Sequence, residues 1–206
     1  VNLVLWAVIG GWYLSQPAPR QEEVPRLVGN LFDSRKPVAA ADVAWDLWQL
    51  YYSADYVRIA LPPGDKSQVY GGVPATAAGA NVRVLANAAY TVGYSDALGD
   101  PVWAAYRLAD MEVKDSPPRP DEFAMDPRTV ARVDSAVYNR SGYDRGHLAP
   151  NYAIATHYGK RAQEETFLMS NITPQKHGLN AGLWKMLEQK IATNYPGRFG
   201  EIWVLA

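Results

Sequence analysis

Cysteine is absent from this 206-residue chain. Disulfides, thiolate metal sites and a thiol nucleophile are therefore excluded. The compartment stays open, because an exported protein need not contain disulfides. Histidine is scarce: only His147, His157 and His177 occur. Neither charge is in clear excess, since 20 basic and 21 acidic residues leave a formal net charge of −1. A global basic field for holding nucleic acid is missing. That counts against a non-enzymatic nucleic-acid binder, and less against an enzyme, which needs positive charge only locally. No HExxH, P-loop, GxSxG or GxGxxG motif is present. His157 and His177 lack carboxylates at ligand spacing, which argues against zinc. No internal repeat is visible. The apolar run at residues 3–14 (LVLWAVIGGWYL) is a dozen residues long, short of the roughly 20 that span a bilayer.

What is present suits a globular domain. The chain is 48% hydrophobic, with seven Trp and thirteen Tyr, most of which core packing should absorb. Residues 3–14 lead into the Pro-rich polar stretch Ser15-Gln16-Pro17-Ala18-Pro19. A short packed helix is one reading; we adopt the other, a signal or membrane-anchor-like segment over residues 1–15. Residues 16–66 read as linker plus an accessory helix. The linker covers 16–36, and the helix covers 38–52, with Val43, Leu47, Leu50 and Tyr51 at helical spacing. Residues 61–64 (LPPG) break the chain, and a catalytic-size domain is expected over 67–206.

Within that domain, residues 82–85 and a stretch inside 87–94 read as strands. Asp100-Pro101 reads as a turn, and 102–108 as a buried strand. Residues 130–138 are ambiguous between helix and strand. Residues 153–167 read as helix, with Gly159 as a weak point, and 168–172 as a short strand or loop. Residues 181–194 are the clearest helix, with Leu183, Trp184, Leu187 and Ile191 on one stripe. Tyr195-Pro196-Gly197 should stop it. Residues 202–206 (IWVLA) read as a buried strand, and a domain ending there is expected to belong to a longer protein.

The chemistry concentrates in two stretches. The first is Tyr143-Asp144-Arg145-Gly146-His147-Leu148-Ala149-Pro150. The second is Ser170-Asn171-Ile172-Thr173-Pro174-Gln175, followed by Leu179-Asn180, Trp184 and Glu188. An imidazole titrates near neutrality and suits the base in phosphodiester hydrolysis; the ordinary alternative for His147 is a structural histidine. The Asn180 amide oxygen is a hard neutral ligand acceptable to Mg²⁺, yet Asn at a helix start is also a favoured cap. Glu188 lies eight positions on, roughly on the same helical face, and a solvent-facing carboxylate is its plain reading. Arg119 and Arg145 can neutralise phosphate charge. Asn171 and Gln175 can position water or substrate, or merely satisfy a turn.

Taken together, these stretches resemble the DNA/RNA non-specific endonucleases, the Serratia-type and endonuclease G-like family. Asp144-Arg145-Gly146-His147 with Ala149-Pro150 is similar to the family's signature. The run from Ser170 to Lys176, with Leu179-Asn180, Gly182, Trp184 and Leu187-Glu188, is similar to its second block. Fainter echoes lie at Tyr90-Thr91-Val92-Gly93-Tyr94 and Val102-Trp103-Ala104-Ala105-Tyr106-Arg107. The resemblance covers residues 70–206.

It implies an α+β fold, a mainly antiparallel sheet flanked by helices with a ββα-metal motif. It implies a sugar-non-specific endonuclease leaving 5′-phosphates. His147 would be the general base and Asn180 the ligand of one Mg²⁺, with Mn²⁺ as an alternative. Glu188 would hold the metal's hydration, Arg119 and Arg145 the phosphate charge, and Asn171 and Gln175 the substrate side of the site. The expected partners are DNA and RNA without sequence preference, a membrane tether through the N-terminus, an inhibitor protein and a second copy of the chain as a homodimer. Such an activity would damage its host's nucleic acid, so an exported or membrane-anchored location is expected. The competing readings are a non-catalytic binding module, tethered or secreted, and a secreted nuclease toxin held by an inhibitor.

Overall fold

The computed structural model describes residues 2–16, 18–29, 31–32, 39–52, 67–75 and 81–206. The chain divides into two compact units, residues 1–65 and 66–206. The break expected at residues 61–64 lies outside the described residues.

The first unit is helical. Its elements are α1 (Asn2–Ser15), α2 (Ala18–Gly29) and α3 (Ala40–Tyr52). The linker expected over 16–36 is instead helical from 18 to 29, with Pro25 inside it. Charged and polar side chains hid its weak periodicity. In α3, the Asp42 carboxylate accepts from the Ala39 N–H at 3.1 Å, and Val43 and Asp46 are buried.

The second unit is built on an antiparallel sheet. It contains β1 (Arg83–Ala86), β2 (Tyr90–Ser95), β3 (Asp100–Ala109) and a distant β6 (Glu201–Leu205), in the order β1-β2-β3-β6. Between β3 and β6 the chain forms β4 (Asp144–His147), α4 (Asn151–Tyr158), α5 (Lys160–Thr166), β5 (Ile172–Gln175), α6 (Lys185–Thr193) and α7 (Tyr195–Phe199). Strands β4 and β5 form a separate two-stranded antiparallel ribbon. The architecture is α+β, as expected.

The strand period of two decides which face is packed. Tyr90, Val92 and Tyr94 of β2 and Ala104, Tyr106 and Leu108 of β3 point to one face. There they meet Ala153 and Ile154 of α4, Ala162 of α5, and Ile191 and Ala192 of α6 in one buried core. The opposite face is strapped by residues 67–70. Gln68 bonds Thr91 and the carbonyls of Asn87 and Ala88, and the Trp203 indole donates to the Ser67 carbonyl at 2.9 Å. Trp103 lies flat across Gly93, where a Cβ would meet its ring at 2.2 Å.

Four local readings need correction. Asp100-Pro101 opens β3 rather than turning the chain; the turn is residues 96–99, and Pro101 is tolerated beside a bulge at Gly93/Tyr94. Residues 130–138 hold neither long helix nor strand, only a 3₁₀ turn at Ser135–Tyr138 whose Ala136 N–H is capped by Asp134 at 2.7 Å. Tyr195-Pro196-Gly197 ends α6 but starts α7, since proline is accepted in a helix's first turn. β6 is the half-buried edge of the sheet, not a buried central strand.

Candidate active site

The β4–β5 ribbon carries the first motif. Its register pairs Asp144 with Gln175, Gly146 with Thr173 and His147 with Ile172. Glycine is required at 146 because the Gln175 side chain crosses it; a Cβ there would meet Gln175 Cδ at 2.2 Å. Gln175 itself is buried, with Oε1 unpartnered.

His147 sits at the inner end of β4, buried between two phenylalanines. Its ring lies 5.6 Å from Phe123 and 5.2 Å edge-on from Phe167. Those two aromatics are brought together by a short parallel bridge, Ala124 to Leu168, in which the Ala124 N–H donates to the Phe167 carbonyl and the Met169 N–H to the Ala124 carbonyl. Two guanidinium groups lie on the outside of this cage. Arg119 is 5.0 Å from the Phe167 centroid, and Arg145 is 5.9 Å from Phe123 and 5.6 Å from Tyr138. The His147 Nε2 is buried and has no hydrogen-bond partner. His157 also has a buried, unpartnered Nε2, but only His147 lies in the first motif and between the Arg119- and Arg145-flanked phenylalanines. Burial, helped by the nearby Arg119 charge, pushes the imidazole down to about 3, so it is neutral at ordinary pH.

Arg145 is partly committed to structure. Its Nε and Nη2 donate to the Ser135 carbonyl at 3.2 and 2.7 Å, and Nη2 also reaches Asn139 Oδ1 at 2.7 Å. Arg119 is exposed and close enough for its charge to act on His147.

Asn180 stands in a π-type turn, Leu179–Trp184, that precedes α6. It does not cap that turn; Gly178 occupies the cap position. Its amide nitrogen donates to the Asp144 carboxylate at 3.0 Å. A carboxylate only accepts, so the amide must present nitrogen to Asp144 and leave Oδ1 for another donor or an ion. His177 Nδ1 lies 2.9 Å from the same Asp144 oxygen. These two contacts hold the Asp144 carboxyl below its usual range. At the other end of β4, the Trp184 indole donates to the His147 carbonyl at 3.3 Å. The strand and the π-type turn are thus tied at both ends.

Glu188 is not the solvent-facing carboxylate of the plain reading. Its Oε1 is buried without a partner, and burial pushes it up to about 7, opposed by the Trp184 indole. The simple helical count from Asn180 to Glu188 does not hold either. Gly182, at φ −103° and ψ −109°, interrupts the regular helix.

Asn171 differs from its expected place at the substrate side. It is fully buried. Its Oδ1 accepts from the Ala149 N–H at 2.9 Å, and Nδ2 donates to the carbonyls of Ala149 and Thr166 at 2.9 and 3.0 Å. It fastens the turn after His147 to the end of α5. Asp144, Phe123, Phe167 and Trp184 were not singled out as site residues from sequence. Asp144 had a signal, since it lies inside the motif; the two phenylalanines had none, because the bridge that unites them spans more than forty residues.

Among the described residues no group of three or more His, Asp or Glu side chains converges. A cage built wholly of protein ligands is therefore not offered. The candidate ligands, each taken by itself, are the Asn180 amide oxygen, left over by the bond from its nitrogen to Asp144, and the buried Glu188 oxygen that lacks a partner. That fits Mg²⁺, which keeps most of its waters and takes few protein groups.

Residues 73–205 match the family model described as DNA/RNA non-specific endonuclease. Nuclease EXOG, mitochondrial, of Xenopus laevis is 30% identical over 187 residues, covering 88% of this chain and 49% of that protein. Endonuclease G, mitochondrial, of Homo sapiens is 34% identical over 104 residues, covering 48% of this chain and 34% of that protein. A chain of the crystal structure of an EndoG/EndoGI complex aligns with a TM-score of 0.49 and 27% identity, covering 59% of this chain and 51% of that one. The chain spans about half, or less, of the length of these curated relatives.

Proposed function

Because the chain belongs to the DNA/RNA non-specific endonuclease family, we propose that it hydrolyses phosphodiester bonds of DNA and RNA, leaving 5′-phosphates, in a Mg²⁺- or Mn²⁺-dependent reaction. The observation that carries this reading is the His147 imidazole, buried, neutral and with Nε2 unpartnered between two arginine-flanked phenylalanines. A neutral imidazole with a free lone pair takes a proton from water; the resulting hydroxide attacks phosphorus as the P–O3′ bond breaks.

Such a base is weak while burial and Arg119 depress it. An incoming phosphate anion leaves the ring buried, but it offsets the Arg119 charge and adds a negative charge beside the ring, which favours the protonated imidazole. Substrate binding thus raises the basicity of His147 at the moment it is needed. Arg119, and the part of Arg145 left over from its bonds to Ser135 and Asn139, bear the charge that accumulates on the phosphate oxygens. Asn180 and Glu188 would hold the divalent ion, which when bound would neutralise charge on the phosphate and the departing 3′-oxygen. The absence of sequence preference follows from what this set recognises, because phosphate and metal contacts carry no base information.

The test is nicking of supercoiled plasmid and cleavage of a structured RNA by the full chain, with Mg²⁺ and with chelator. Chelator-sensitive cleavage of both, leaving ends that ligate without kinase treatment, is expected. No cleavage beyond the chelated control would sink the proposal. We infer in addition that α1 tethers the chain to a membrane, because its apolar side chains are exposed along its length.

A further inference from the structure

Beyond the last pair of the β4–β5 ribbon, Asp144 with Gln175, the next residues out are Tyr143 and Lys176. The Lys176 ammonium lies 4.2 Å from the Tyr143 ring centroid. Both side chains are open to solvent, Tyr143 at 42% exposure. Lys176 is also fixed to the candidate metal ligand through its backbone. Its carbonyl accepts from both the Leu179 and the Asn180 N–H at 2.9 Å, while Asp144, next to Tyr143, grips the Asn180 amide at 3.0 Å. A cation and an aromatic ring are thus held together beside Asn180, on the outward side of the ribbon.

Exposed cation–π pairs contribute little to stability, so a purely structural role would be slight. The carboxylate of the adjoining ribbon pair, Asp144, is already engaged by His177 and Asn180. We propose that Tyr143 and Lys176 form a subsite for the nucleotide flanking the scissile bond. Lys176 donates to that nucleotide's phosphate, and the Tyr143 ring packs against its base or sugar. The subsite rests on the nuclease reading above and deepens it. It takes any base, since every base has a π-face and phosphate is common to all.

The experiment uses the full chain carrying His147→Ala, in chelator, so that nothing is cut. Anisotropy of a labelled single-stranded oligonucleotide is followed across a salt series. Lys176→Met should flatten the slope of log affinity against log salt by about 0.7, the value for one phosphate contact on a single strand, and do so equally for different sequences. Lys176→Arg should keep the parent slope. Tyr143→Ala should weaken binding about five-fold or more with the slope unchanged, and Tyr143→Phe should restore it. Melting curves should show all four variants folded.

A parent slope in Lys176→Met, or parent affinity in Tyr143→Ala, overturns the subsite while leaving the nuclease reading intact. If the His147→Ala parent binds no oligonucleotide at any salt, and the unsubstituted chain cuts none, both proposals fall together.

Discussion

At the scale of single residues, His147 is the centre of the proposed chemistry. Its burial removes the proton that a solvated imidazole would hold in mild acid. The unfolded chain binds that proton near pH 6.5, the folded chain only near pH 3. Between these values the unfolded state holds more protons, so stability falls as pH drops through the window and is unaffected above it. A tenfold change in proton affinity corresponds to about 1.4 kcal/mol, so the loss should be easy to measure. Denaturant titrations from pH 7 to pH 4 should show the unsubstituted chain losing stability more steeply than His147→Ala; parallel curves would mean that the ring is not buried as described. The same variant should lose about 10²- to 10⁴-fold in cleavage rate at neutral pH with its fold intact. Near-normal turnover would remove His147 from the mechanism. Gly146→Ala makes a complementary test. A methyl group there drives into Gln175, and over-packing of this kind costs about 1–3 kcal/mol. A melting temperature equal to the parent's would show that Gln175 moves aside freely.

At the scale of elements, the ribbon β4–β5 and the turn leading into α6 are held by side-chain bonds to backbone. Asn171 is the chief fastener. Asn171→Ala leaves the Ala149 N–H and two carbonyls without their partner in a buried position. It should cost about 2–4 kcal/mol, most of it from the unpaired groups, with activity recovering at low temperature as the fold does. An unchanged melting point with a raised KM would restore the substrate-contact reading instead. Sequence reasoning reached the strands approximately: 82–85 and 102–108 fall on β1 and β3, and the short strand expected inside 87–94 is β2, Tyr90–Ser95. It erred where one residue resets the geometry. The helix expected over 181–194 assumed regular backbone from its start, but Gly182 interrupts it, and of the stripe Leu183, Trp184, Leu187 and Ile191 only Ile191 is buried, Leu183 being 66% exposed. His147, Asn180 and Glu188 became candidates only through the resemblance of two short motifs to a family, since on spacing each had a plain structural reading. The cage around His147 was not legible, because Phe123 and Phe167 are ordinary apolar residues whose meeting depends on tertiary pairing.

At the scale of the whole molecule, the charge of −1 means that nothing draws nucleic acid from a distance, and cations act only where the ribbon and its surrounding loops concentrate them. The N-terminal unit adds a different surface property. Helix α1 carries no charged residue, and Leu3, Val4, Trp6 and Leu14 are each more than two-thirds exposed. No helix among the described residues is long and apolar enough to cross a membrane. An uncharged, apolar helix that meets a bilayer would be held there by burial of its side chains rather than by lipid charge. The full chain should therefore float with vesicles of zwitterionic phospholipid in a density gradient, and raising the salt should not release it. Leu5→Glu combined with Ile9→Glu should abolish flotation while leaving plasmid nicking unchanged, because neither residue belongs to the unit that holds the candidate active site. Protein that stays at the bottom of the gradient with neutral vesicles, or that leaves them at high salt, would refute attachment through α1.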